Sequence, residues 1–277
     1  MNRIPVFAFI LATIVSCGLS NKQASDQSNP QPASSQASKK SISVVVHRGA
    51  NSLAPENTMP SADSALVHGA EWIEVDVRTT ADGVMYNLHD DELERTTNGH
   101  GKLSESKSSY IETLDAGSWF GEAYKGLKVP TMRAMLEGLQ GRAKVFFDVK
   151  NGTPIPAVVS LVRETGFTDK SFFWFAKEEM LREFLSLAPE MKVKVNASDT
   201  ARLQYWLDLF AEYKLRPAIV EVNADCISPE FTSFCRKHDI LIMVGAQGES
   251  IDDYKAAIET GADLINLDKP ELFEQLL

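Results

Sequence analysis

From residue 145 to the C-terminus, short β-prone runs alternate with helical patterns, and few architectures accommodate that alternation. The β-prone runs cover residues 145–150, 171–176, 192–196, 219–223, 240–245 and 264–267. Helical patterns lie between most of them, at 157–164, 177–187, 201–213 and 252–260. Strands and helices of these lengths in strict succession build a parallel barrel or an open parallel sheet. Upstream lie three more β-prone runs: Val44-Val45-Val46, residues 74–78 and residues 84–89. The total is nine candidates, one more than a (β/α)8 barrel needs. The two runs at 74–78 and 84–89 are joined by Ala81-Asp82-Gly83, a turn signal with no room for a helix. The expectation is therefore a TIM (β/α)8-type barrel, irregular at the 74–90 hairpin, in a single domain over residues 42–277.

The hairpin also carries charge. Glu74 and Asp76 are separated by one residue, so on a strand they point to the same face. Two like charges on one face repel unless something positive sits between them. A divalent cation with oxygen ligands, magnesium or calcium, satisfies that need. Folding back at Asp82-Gly83 sets Asp76 opposite Leu88 and His89, which brings a histidine beside the carboxylates; His47-Arg48 must arrive from another strand. Arg48, Asp76, Asp90, Lys150 and Asp268 all fall at or just past strand C-termini, the face that carries function in a TIM barrel.

These pieces form an ordered set: HRG at 47–49, PENT at 55–58, ExD at 74–76, HD at 89–90, ERTTNGHG at 94–101, DAGSWF at 115–120 and VPT at 129–131. In order and spacing the set resembles the glycerophosphodiester phosphodiesterase family, densely from residue 43 to about 150 and more thinly beyond. The resemblance implies a TIM barrel that cleaves glycerophosphodiesters to sn-glycerol 3-phosphate and an alcohol. It implies His47 and His89 as the acid–base pair and Glu74, Asp76 and Asp148 as metal ligands. Arg48 and Lys150 would contact the phosphate, with Glu56 and Asp90 in support. In the family the first attack comes from the neighbouring glycerol hydroxyl, giving a cyclic phosphate that water opens. Residues 91–143, which interrupt the βα rhythm and carry Trp119, Phe120 and Tyr124, correspond to a cap over the site. Trp119 and Phe120 either shape the pocket or only pack on the barrel rim.

The chain departs from the family pattern in two places. Asp148 stands where the family usually has glutamate, which shortens a metal-directed arm by one methylene, about 1.5 Å. In the C-terminal part, Ile242-Met243-Val244-Gly245 replaces a strand end that often carries tryptophan and threonine, and Leu267-Asp268-Lys269-Pro270 stands where the family often has Thr-Asp before the last proline. The headgroup choice is therefore open; Glu221 is a candidate added polar group and Trp174 a candidate aromatic wall. Two rival readings follow: a lysophospholipase D or sphingomyelinase D type enzyme that stops at the cyclic phosphate, and a surface lipoprotein that binds phosphodiesters without turnover.

At the N-terminus, residues 1–16 form an apolar run with Arg3 as the only charge, a signal peptide too short to span a membrane comfortably. Ile14-Val15-Ser16-Cys17 resembles a bacterial lipoprotein box with Cys17 lipidated, and residues 17–41, rich in Ser, Gln, Asn and Pro, make a flexible linker. This places the mature protein in a bacterial cell envelope, held to the membrane by its lipid and facing the periplasm or the cell surface. The formal charge of −10 becomes −11 once Arg3 is removed with the signal. So acidic a chain, without a basic run, excludes nucleic acid as a partner. Two cysteines, Cys226 and Cys235, do not make a disulfide framework.

Overall fold

The computed structural model describes residues 42–246 and 250–276. Nine strands appear in chain order: β1 Ser43–Val46, β2 Trp72–Thr79, β3 Met85–Asn87, β4 Lys144–Val149, β5 Ser171–Phe175, β6 Lys192–Asn196, β7 Ile219–Asn223, β8 Leu241–Ala246 and β9 Leu264–Leu267. Eight of them form a closed parallel barrel, since β1 pairs with both β2 and β9. The ninth, β3, runs antiparallel to β2 outside the barrel, with Val77 opposite Asn87. The surplus strand in the sequence is thus the return arm of the hairpin. The α-helices are α1 Met59–Val67, α2 Ser108–Ile111, α3 Met132–Leu139, α4 Ile155–Glu164, α5 Glu178–Leu187, α6 Thr200–Ala211, α7 Pro229–Lys237, α8 Ile251–Glu259 and α9 Pro270–Phe273, with short 3-10 turns between some elements. No described helix is long and apolar enough to cross a membrane.

The barrel interior has an apolar floor of Val45, Trp72, Phe146, Phe172, Ile219, Met243 and Leu264. Phe146 and Phe172 stack with centroids 4.5 Å apart. Strand periodicity returns each side chain to the same face two residues later. Two steps on from these seven stand His47, Glu74, Asp148, Trp174, Glu221, Gly245 and Asn266. The floor therefore gives way, one layer up, to a largely polar ring at the C-terminal mouth. The main core lies between the outer barrel face and the helices and includes Met132, Met135, Leu136 and Leu139 of α3. A separate small core of Tyr86, Leu88, Leu93, Leu103, Ile111, Leu114, Ala116 and Val129 holds the segment between β3 and α3. Of residues 91–143, then, the first part builds its own core and α3 belongs to the barrel.

Gly49 fixes the turn after β1. Its φ is +74°, and a Cβ there would meet Ser61 Oγ at 2.5 Å and the Ser61 carbonyl carbon at 2.7 Å. Gly49→Ala combines left-handed strain with a backbone clash and is expected to cost more than about 1 kcal/mol; a denaturant titration of the variant measures it.

Candidate active site

The turn that Gly49 permits carries the first site residues. Arg48 has φ +57°, and its backbone N–H donates to Glu74 Oε2 at 2.7 Å. His47 projects from the end of β1, where its Nδ1 meets Asp268 Oδ1 at 2.8 Å just beyond β9. Asn51 Nδ2 donates to the same oxygen at 3.0 Å. With Nδ1 tied to a carboxylate, Nε2 is the nitrogen left for chemistry. Burial works against the charged imidazole, but the hydrogen bond and the negative charge of Asp268 help to offset it, and His47 is held above its ordinary value.

His89 sits just past β3 in a matching arrangement. Its Nδ1 is 2.7 Å from Asp90 Oδ1, and its backbone carbonyl accepts from Arg78 Nε at 2.7 Å. Asp90 in turn pairs with Arg95 Nε, and Arg95 grips both oxygens of Glu56 at 2.7 and 2.8 Å. Glu56 also accepts from Arg48 at 3.3 Å. Glu56 thus joins the PENT loop to the cap segment through Arg95.

Between the histidines, Glu74, Asp76 and Asp148 each offer a carboxylate oxygen, and these atoms lie within 4.8 Å of one another. Neighbouring strands produce the cluster, because β2 and β4 run in register with Asp76 beside Asp148. Glu74 and Asp76 are almost wholly buried. Burial and the neighbouring Asp76 push Glu74 up to about 8. Asp148 is raised as well, by burial and by Asp76. Asp76 is held below its usual value: burial opposes this, but Lys150 and Arg48 prevail. Lys150 Nζ lies 2.6 Å from both Asp76 Oδ1 and Asp148 Oδ2. Asn57, with φ +59°, donates to Asp76 Oδ2 at 2.7 Å, and Asn87 Oδ1 accepts from the Asp76 N–H at 2.8 Å.

The residues fit a divalent metal. Three hard oxygen donors converge, their mutual repulsion is only partly relieved, and Asp148 Oδ1 is buried without a hydrogen-bond partner. The short arm of Asp148 does not take it out of the group. Arg48 and Lys150, the two expected phosphate contacts, lie at the cluster with their cationic groups turned to carboxylates.

A family model described as the glycerophosphoryl diester phosphodiesterase family matches residues 47–175. The crystal structure of glycerophosphodiester phosphodiesterase from Agrobacterium tumefaciens superposes with a TM-score of 0.79 at 38% identity, covering 85% of this chain and 100% of that one. This chain belongs to the glycerophosphodiester phosphodiesterase family. A phosphodiesterase from Oleispira antarctica, solved in complex with the product sn-glycerol-3-phosphate, superposes with a TM-score of 0.73 at 25% identity, covering 84% and 95%. YhdW of Bacillus subtilis is 37% identical over 123 residues, which span 44% of this chain and about half, 49%, of YhdW.

Family motifs account for His47, Glu74 and Asp148 of the ring, and several contacts escaped sequence reasoning. Arg95 lies inside the ERTT motif, yet its double grip on Asp90 and Glu56 has no local signature. Asn87 was within reach: it stands two residues before His89 on the hairpin. The Asp268–His47 pair depends on barrel closure across 221 positions. In the cap, Trp119, Phe120 and Tyr124 make successive edge-to-face contacts. Tyr124 Oη donates to the Leu53 carbonyl at 3.0 Å, which ties these rings to the loop after β1.

Removing the Asp268 charge tests its hold on His47. Asp268→Asn weakens the hydrogen bond and removes a negative neighbour, so the His47 pKa falls. The limb of the pH–kcat/KM profile that reports His47 is expected to move to lower pH, whether that histidine acts as acid or base. A pH–rate series on wild type and variant measures the displacement.

Proposed function

We propose that this protein hydrolyses glycerophosphodiesters to sn-glycerol 3-phosphate and an alcohol, with a divalent metal at Glu74, Asp76 and Asp148 and with His47 and His89 as the acid–base pair. The observation that carries this reading is the pair of histidines, each tied through Nδ1 to its own aspartate, from strands that flank the carboxylate-bearing β2. A bound magnesium or calcium ion supplies charge neutralisation at the phosphoryl oxygens. Arg48 and Lys150 add positive charge there. One histidine takes the proton of the attacking hydroxyl, and the other gives a proton to the departing alkoxide oxygen. If the neighbouring glycerol hydroxyl attacks first, a cyclic phosphate forms, and the two histidines exchange roles as water opens it.

The test is release of glycerol 3-phosphate from a panel of glycerophosphodiesters, using protein that lacks residues 1–41, with magnesium, calcium or chelator. Metal-dependent release is expected. Accumulation of a cyclic phosphate would move the assignment to the cyclising enzymes, and absence of turnover with every metal would move it to a binding protein.

We further propose that the protein is exported, lipidated at Cys17 and held at the cell envelope. Residues 1–41 lie outside the described residues, so this reading is supported by the apolar run, the cysteine that ends it and the polar tract that follows. Cys17→Ser is expected to abolish incorporation of labelled palmitate and to release the protein from the membrane fraction.

A further inference from the structure

Opposite the acidic cluster, the polar ring holds a second set of buried charges. Lys194 on β6 is almost wholly buried, and its ammonium pairs with Glu221 on β7. Asn266 Nδ2 on β9 donates to the other Glu221 oxygen at 3.2 Å. Lys194 also sits over the rings of Phe146 and Trp174, at 5.1 and 5.4 Å from their centroids. Burial pushes the Glu221 carboxyl up, but Lys194 more than offsets this and keeps it below its usual value, hence ionised. Glu221 lies close enough to His47 for the two charges to act on each other. The set therefore belongs to the same mouth as the reacting groups, although no step of the proposed chemistry uses it.

Above Glu221 opens a cleft of about 500 Å³, lined by Asn196, Ser198, Glu221, Asn223, Cys226 and Gly245 among others. Its size is that of pockets that take small ligands, and is more than a three-carbon glycerol arm needs. Gly245 lies beside Glu221: a Cβ at that position would stand 3.3 Å from Glu221 Oε1, so a larger side chain there would crowd the carboxylate. Its polar groups are amides, a hydroxyl, the Cys226 thiol and a carboxylate. A carboxylate offers about four lone-pair directions; Lys194 and Asn266 use two, which leaves two to accept from hydroxyls. The charge of Glu221 is already balanced by Lys194, so a cationic headgroup gains little there. Among the described residues, Trp174, Tyr205 and Trp206 line the neighbouring cleft rather than this one, and sites for quaternary ammonium groups are built as aromatic cages.

We propose that this cleft receives the leaving alcohol and is built for a neutral polyol, with Glu221 accepting from vicinal hydroxyls and Asn196, Ser198 and Asn223 completing the set. The proposal rests on the phosphodiesterase reading and assigns the alcohol class. Lys194 and Asn266 are positioning residues that hold Glu221.

Competing substrates provide the test. Glycerophosphoinositol and glycerophosphoglycerol are compared with glycerophosphocholine and glycerophosphoethanolamine, on wild type, Gly245→Val and Asn223→Ala. Gly245→Val fills the cleft. Asn223 lies at an exposed strand end, and its side chain makes no capping bond to the turn it opens, so its loss leaves folding intact even if the valine is not tolerated. The wild type is expected to prefer the polyol esters in kcat/KM. Asn223→Ala is expected to raise KM for those esters about tenfold or more and to change the choline and ethanolamine esters less than about twofold, whereas Gly245→Val, which narrows the cleft for any leaving alcohol, is expected to raise KM for all four esters and most for the inositol ester. A preference for the choline or ethanolamine ester overturns the proposal. An equal loss on all four esters in Asn223→Ala overturns it too, because it assigns the cleft to the glycerol half that they share. Absence of turnover on every ester instead removes the phosphodiesterase reading, and this assignment with it.

Discussion

His47→Ala and His89→Ala are each expected to lower kcat/KM by at least about 10²–10⁴-fold, the usual contribution of a positioned acid or base, while leaving the far-UV circular dichroism unchanged. Both side chains are partly exposed, at 19% and 32%, so truncation opens no core cavity. The partners left behind retain other contacts: Asp268 keeps Asn51, and Asp90 keeps Arg95. The double variant is expected to lose little more than the worse single one, because groups that act as a unit are not additive. A substrate with a p-nitrophenolate leaving group separates the roles. That leaving group needs no proton, so the variant that lacks the general acid recovers turnover on it, and the variant that lacks the base does not. Near-wild-type turnover of a natural ester by either single variant would remove the acid–base assignment.

The parts of this site that the sequence reveals are those set by short-range periodicity. Glu74 and Asp76 share a face because a strand alternates, and the Asp82-Gly83 turn then fixes the register. The Leu88 N–H donates to the Asp76 carbonyl at 3.1 Å, which is where the hairpin argument sets Asp76. Thr58 caps α1 through its hydroxyl and a Ser61 reciprocal bond, again a local matter. The βα alternation likewise identifies a parallel sheet with crossover helices, since each crossover is complete within one segment of chain; the choice of a closed barrel over an open sheet comes from the placement of Arg48, Asp76, Asp90, Lys150 and Asp268 at strand C-termini and from the family resemblance. What escapes sequence is what closure assembles. Asp268 reaches His47 only because β9 pairs with β1. Glu221 could be named from sequence as an added polar group, but its pairing with Lys194 and Asn266, on two other strands, has no local signature. Lys150 could be assigned to phosphate from its motif, whereas its position between Asp76 and Asp148 depends on how β2 and β4 align. Asp148, with its shorter arm, reads in sequence as a possible defect. In space the in-register pairing of β4 with β2 brings it into the cluster, so strand alignment, more than arm length, decides its reach.

Removal of divalent metal is expected to abolish turnover and to lower thermal stability, and restoring magnesium or calcium is expected to reverse both. The reason lies in the charge of the metal-free cluster. Three carboxylates converge at a largely buried site with one ammonium among them. Glu74, raised to about 8, holds a proton near neutrality when no metal is present. A folded-state value above the unfolded one stabilises at low pH, and that contribution is lost as pH rises. The metal-free protein is therefore expected to lose stability from about pH 4.5, the ordinary range of the group, up to about 8. A metal held by Glu74, Asp76 and Asp148 would displace the proton and take over its role, so binding near pH 7 is expected to release about one proton per ion and to tighten as pH rises. Calorimetry in buffers of different ionisation enthalpy counts that proton. At a metal concentration one hundred times the dissociation constant, the gain in stability is about 2.7 kcal/mol, enough to read as a rise in Tm. Asp148→Asn supplies the control: it removes one ligand and lowers the charge of the cluster, so metal affinity falls while the metal-free protein becomes less sensitive to alkaline pH. A chelated protein that keeps both its turnover and its Tm would mean that the three carboxylates serve the fold alone, held by Lys150.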